Sequence, residues 1–234
     1  MTTRRIAILT GSRAEFSLLT PVIRAIGAHP DCEALVLVAG SHLLPPAVTK
    51  RDVEALFPIA AEIPMQSPGV TGRIADARAL AWGISGVADA IEKLQPDWLV
   101  VLGDRIEALA GAAATSIGGV ALAHIHGGDR AEGVADDAMR HAITKLAHVH
   151  FGATSSSADR IVRMGEDPKR VHVVGSPSID ALRGTAPLED APFRDLGSPD
   201  TILLLHPVDE EEPVEAATAE ACIAALAGTV WRQP

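Results

Sequence analysis

The sequence predicts an α/β protein built on a doubly wound parallel sheet, and two observations predict it. Short apolar runs alternate with helix-period patterns from residue 6 to residue 174, the mark of repeated βα units. Most of those runs then stop abruptly in Gly, Asp, Arg or His. In open α/β proteins such polar clusters fall at the carboxyl ends of neighbouring strands, where sites are built.

The first strand is Ile6 to Thr10, short and apolar as a buried parallel strand should be. Glu15 to Ile26 follows with Phe16, Leu19, Val22, Ile23 and Ile26 at helical spacing. Pro21 lies inside that pattern, which places it in the first turns, where proline is tolerated. A second strand is Ala34 to Ala39. Leu43 to Gly69 is proline-rich and reads as loop, with a short helix near Val48 to Phe57. Gly72 to Leu94 reads as a long helix. Strands then follow at Trp98–Leu102, Val120–Ile125, Val149–Gly152 and Val171–Val174, separated by helices at Arg105–Ile117, Asp136–Ala147 and Ser155–Met164.

After Asp180 the texture changes. Residues 1–180 form the Rossmann-like catalytic domain of this reading, and residues 181–200 a polar, proline-rich linker. Thr201 to Leu205 adds one strand and Glu212 to Leu226 one helix. One strand and one helix cannot bury both faces of a sheet, so residues 201–234 read as the start of a second α/β domain, incomplete.

Composition narrows the function. The 234 residues are 47% apolar and 21% charged, which suits a globular protein with a sizeable core. Net charge is −10, with no basic block and no tyrosine, so nucleic acid is a poor partner. No stretch approaches the roughly 18 uninterrupted apolar residues of a membrane span. The apolar run near the amino terminus is only Ile6–Leu9 before Thr10, Gly11 and Ser12 interrupt it, too short for an export signal. Cys32 and Cys222 have neither metal spacing nor a disulfide framework, which fits the cytoplasm.

Five clusters carry candidate chemistry. In residues 10–16, TGSRAEF, Gly11 allows a tight turn, the helix start offers N–H groups to an anion, and Arg13 adds a bidentate phosphate contact. The same pattern also describes a capped helix with a solvated arginine. In LGDRIEA, Asp104 is either a helix cap or a carboxylate facing a ligand. HIHGGD puts His124 and His126 at i and i+2, which point the same way on a strand. A third metal ligand is not evident; the other reading packs one imidazole and leaves the other as acid/base or charge stabiliser. In DDAMRHAITK, Asp136, Arg140 and Thr144 share one helix face, as do Asp137 and His141. These are either plain surface pairs or a carboxylate braced for proton transfer. In VVGSPSID, the N–H groups and Ser176 can hold a diphosphate or merely turn the chain. His206 lies at the end of the late apolar run.

Together TGSRAEFSLLTPVIRAI, PDWLVVLGDR, HIHGGDRAEG, DDAMRHAITKLAHVHF, GEDPKRVHVVGSPSID and LLHPV resemble the UDP-N-acetylglucosamine 2-epimerase family, in its hydrolysing, sialic-acid-type branch. The pieces cover nearly all of residues 5–208, in order. The resemblance implies a glycosyltransferase-B-like pair of Rossmann-like domains with a sugar nucleotide between them. It implies release of nucleoside diphosphate by elimination, a glycal intermediate, and addition of water to give N-acetylmannosamine, without cofactor or metal. It assigns Asp104, His126, Asp136 and His206 to catalysis, although animal members carry Glu at the His126 position. It assigns Arg13, Glu15, Ser17, Asp129, Asp137, Arg140, His141 and Ser176 to the substrate. It also implies a homo-oligomer. Family members continue with a Ser-Gly-Gly loop and a Glu that hold the nucleoside, and neither follows His206 here. That departure keeps a catalytically incompetent binding module as the alternative, with a glycosyltransferase as a third reading.

Overall fold

The computed structural model describes residues 3–46, 48–130, 135–205 and 210–227, with the side chains of residues 135, 136 and 181 outside that description. The chain divides into two compact units, Met1–Thr185 and Ala186–Pro234.

The first unit is a seven-stranded, wholly parallel sheet with helices on both faces. Its strands are β1 (Arg4–Thr10), β2 (Cys32–Ala39), β3 (Ile59–Ile63), β4 (Trp98–Leu102), β5 (Ala121–Ile125), β6 (Val149–Gly152) and β7 (Val171–Val173). They lie in the order β3-β2-β1-β4-β5-β6-β7. The direction of winding reverses between β1 and β4, the switch point at which such sheets open a crevice. The helices of this unit are α1 (Arg13–Ala28), α2 (Lys50–Glu54), α3 (Arg73–Leu94), α4 (Ile106–Gly118), α5 (Ala135–Leu146), α6 (Ser155–Arg163) and α7 (Pro177–Arg183).

Strand alternation splits the core in two. Leu9, Leu37, Leu99, Val101 and Leu122 meet α3, α4 and α5, while Ile8, Val36, Val100, Ala123 and Ile125 lie on the opposite face with Phe16, Leu19 and Ile23 of α1. Alanines and Gly111 on α4 allow that helix to sit close: a Cβ at Gly111 would stand 2.8 Å from Leu9. The register pairs Ile8 with Val100, Leu102 with Ile125, and Ile125 with Phe151. The polar turns after β1, β4, β5 and β6 therefore stand side by side.

Three local expectations are corrected. Pro21 is the ninth residue of α1, not part of its first turns. Burial of Leu19 and Ile23 on either side of it holds the helix together. The segment read as loop between Leu43 and Gly69 contains β3, an edge strand flanked by Pro58 and Pro64, positions where proline does not interrupt a ladder. Conversely, the strand expected at Thr201–Leu205 does not form. Its apolar residues are exposed, and no strand is described within the second unit to pair with it. The second unit contributes α8 (Asp190–Asp195) and α9 (Glu212–Ala227). The former lies within the segment read as linker.

Candidate functional site

Two groups of polar side chains collect at the carboxyl ends of the strands. The first spans β4 to β7. Gly103, with φ 76°, turns the chain out of β4 and delivers Asp104 to the rim. Arg140, one helical turn after Asp136 on α5, reaches back to it. Its guanidinium donates to the Asp104 carboxylate, donates to the carbonyl of His126 at 3.2 Å, and stands 3.8 Å from Asp129. Asp104 and Arg140 retain only 17% and 13% side-chain exposure. Attraction within this pair is therefore screened less than at a fully solvated surface.

His126 is the centre of the group. β5 ends at Ile125, and His126 adopts φ 63°, so its ring leaves the direction that strand alternation would give it. The expectation that both histidines point the same way fails for this reason. His124 turns inward with no exposed surface. Its Nε2 donates to the carbonyl of Gly103 at 2.8 Å, and its Nδ1 lies 3.1 Å from the Thr144 hydroxyl. Burial pulls its pKa down to about 3, so the ring is neutral and structural. The His126 Nδ1 instead donates to the Asp129 carboxylate at 2.7 Å, and its Nε2 is 3.1 Å from the Ser176 hydroxyl. Ser176 is in turn 2.8 Å from the Ser178 hydroxyl. Asp129 receives a further hydrogen bond from Ser157 at the start of α6. Gly128 makes this approach possible: its φ is 74°, and a Cβ there would lie 2.3 Å from the Ser157 carbonyl. Carboxylate, imidazole and hydroxyl thus form one chain, the arrangement that fixes a tautomer for proton transfer.

The second group lies at β1, β2 and β4. Ser12 caps α1 by accepting from the Glu15 amide, and Glu15 accepts from the Gly11 amide at 2.9 Å. Glu15 is thus folded into the turn. Burial, with the Glu107 carboxylate nearby, pushes its pKa up to about 7. Arg13 is exposed and 3.9 Å from Asp52, and Ser17 donates to the Arg13 carbonyl on the exposed helix surface.

Of the residues singled out in the sequence, Asp104, His126, Asp129, Arg140 and Ser176 are brought into one network. Asp137 and His141 stand 3.8 Å apart on α5. Arg13, Glu15 and Ser17 belong to the turn after β1. The Asp136 side chain and all of His206 lie outside the described residues. Ser157 and Glu107 were missed. Ser157 belongs to TSSS, which follows β6 at the position equivalent to the clusters that were read. Glu107 lies inside LGDRIEA, at helical spacing from the buried Ala110 and Gly111.

An open apolar groove of about 630 Å³ lies between α1 and the strands, lined by Trp98, Val100, Ala123, Ile125 and Phe151 and by Gly175 and Pro177 on either side of Ser176. None of Asp104, His126, Asp129 or Arg140 borders it.

The sequence profile of the UDP-N-acetylglucosamine 2-epimerase family matches residues 24–232. The chain belongs to that family. A UDP-N-acetylglucosamine 2-epimerase of Neisseria meningitidis serogroup B is 32% identical over 222 residues, covering 89% of this chain and 55% of the relative. A hydrolysing UDP-N,N'-diacetylbacillosamine 2-epimerase of Legionella pneumophila is 34% identical over 183 residues, 76% of this chain and 48% of the relative. The chain thus spans about half the length of these relatives. Among solved structures, the Neisseria meningitidis UDP-GlcNAc 2-epimerase bound to UDP-GlcNAc superposes with a TM-score of 0.69 at 21% identity, over 76% of this chain and 48% of that one. A putative 2-epimerase from Listeria monocytogenes gives 0.72 at 20% identity, over 84% and 51%. These likenesses carry the fold: the α/β, glycosyltransferase-B-like sheet expected from sequence is the one observed. No helix among the described residues is long and apolar enough to cross a membrane.

Proposed function

We propose that this chain carries the catalytic half-site of a hydrolysing nucleoside-diphospho-N-acetylglucosamine 2-epimerase. The observation that carries this reading is the network Asp104–Arg140–His126–Asp129–Ser176 at the ends of β4 to β7.

In the proposed reaction the C2 proton passes to a base on the protein. The electron pair of that C–H bond forms the C1–C2 double bond, and the C1–O bond breaks with its electrons leaving on the diphosphate. Water then adds across the glycal: hydroxyl joins C1, and a proton joins C2 on the opposite face. The products are N-acetylmannosamine and nucleoside diphosphate. His126, braced by Asp129, is suited to carry a proton, and Asp104 to face the positive charge that builds on the ring as C1–O breaks. Arg140 holds both in place. Arg13 and Ser176 are assigned to the diphosphate, and Asp136 and His206 to the reaction centre on family resemblance.

Incubation with UDP- or GDP-N-acetylglucosamine, followed by NMR, tests the proposal. Appearance of N-acetylmannosamine with free nucleoside diphosphate is expected. Binding of the nucleotide without turnover would favour the alternative, a binding module, motivated by the chain's spanning half of its relatives' length.

A further inference from the structure

Glu107 is an acidic side chain buried where the family resemblance offers no role for it. It stands on the first turn of α4 with 1% of its side chain exposed. Its carboxylate receives two hydrogen bonds from Arg105, from Nε and Nη2, each 3.2 Å long. Two glycines make room for it. A Cβ at Gly11, after β1, would come within 2.4 Å of its side chain, and a Cβ at Gly40, after β2, within 2.0 Å of its Oε1. Glu107 therefore fills the space where the turns after β1, β2 and β4 meet, directly under the turn that carries Arg13.

We propose that Glu107 is a positioning residue for the nucleotide-diphosphate side of the site: it fixes the Arg105 guanidinium at the mouth of these turns, with Glu15 as its buried acidic neighbour. The proposal deepens the function proposed above and rests on it for the identity of the ligand. Arg105 is half-exposed, so part of its fork is open to an anion while the rest is held. The charged and titratable groups facing Glu107 are Glu15 from α1, Arg105 from the turn after β4 and His42 from the turn after β2, while Asp104 faces Arg105. Asp52 from α2 faces His42 in turn. Glu15, uncharged below about pH 7, keeps two carboxylates from repelling each other in one pocket.

Two measurements on the full chain test this. Carbon-13 NMR of glutamate carboxyls follows the Glu15 titration midpoint without any nucleotide, the signal being assigned by its loss in Glu15→Gln. Glu107→Gln should lower that midpoint, and Arg105→Gln, which alters a half-exposed residue and leaves the core intact, should raise it. An unmoved midpoint in Arg105→Gln, or in a folded Glu107→Gln, overturns the pairing. Calorimetry with UDP then reads the positioning role. Glu107→Gln and Arg105→Gln should each weaken UDP about tenfold or more, and the double variant no further than the worse single one. Additive losses, or wild-type affinity in Glu107→Gln, overturn it. Absence of UDP binding by the wild type would overturn the functional reading and the positioning role with it, while the carbon-13 result would still decide the carboxylate pair.

Discussion

The turns at β1, β2 and β4 and those at β4 to β7 are both rich in charge, yet they handle it differently. On the first side Glu107 and Glu15 are buried, Glu107 hemmed in by Gly11 and Gly40, and burial with Glu107 nearby raises the Glu15 midpoint. On the second side Asp104, Arg140, His126 and Asp129 are partly exposed and paired with one another. The buried acids shape the turns and hold Arg105 in place; the partly exposed, mutually braced charges face a ligand themselves. His124 and His126 repeat the contrast two residues apart, one sealed and neutral, the other on the rim.

The contrast breaks most severely at Arg140, which among the described residues links Asp104, Asp129 and the His126 carbonyl. Arg140→Met should cost roughly 2–3 kcal/mol in urea denaturation, less than a fully buried pair because both partners keep some solvent. It should also lower epimerase turnover about a thousandfold. His126→Asn should reduce turnover about a hundredfold while leaving the denaturation midpoint close to wild type. Equal losses of stability in His126→Asn would place it with His124 as a structural ring.

On the other side the signature is a pH-dependent stability. The Glu15 midpoint of about 7 stands above its ordinary 4.5, so the folded chain holds the proton more tightly than the unfolded chain. This contribution is full below about pH 4.5, is lost as pH rises through about 7, and is flat beyond. Glu15→Gln removes that slope. Relative to wild type the variant should gain on the order of 2–3 kcal/mol between pH 5 and pH 8 in paired denaturation curves. A smaller effect is expected at Gly11→Ala, about 1–3 kcal/mol from overpacking against Glu107. That penalty should shrink when Glu107→Ala is made in the same chain. An undiminished penalty would show that Glu107 does not fill the space.

The sheet was legible because each strand is bounded by a change of period: Trp98–Leu102 and Val149–Gly152 begin and end where the sequence places them. β3 was not, since Ile59–Ile63 lies at an edge between prolines and shows little alternation. The strand expected at Thr201–Leu205 failed for the converse reason. An apolar run supplies propensity, but a strand needs a neighbour. The site was legible as far as chemistry marks residue types: Asp104, His126, Asp129, Arg140 and Ser176 were all chosen, and all meet. The direction of each ring was not legible, because the left-handed turn at His126 depends on where β5 ends. Nor was the burial of Glu107, which follows from two glycines 29 residues apart in sequence (Gly11 and Gly40) arriving on either side of it.

On this reading the rim network of Asp104, Arg140, His126 and Asp129 meets the sugar, while Arg13 and Arg105 take the diphosphate. Proton NMR of the histidine ring Cε1–H signals during titration with UDP-N-acetylglucosamine decides this. The signal of His126 should move with saturation while that of the sealed His124 stays in place. Movement of His124 with His126 unchanged would overturn the assignment of the sugar to the rim.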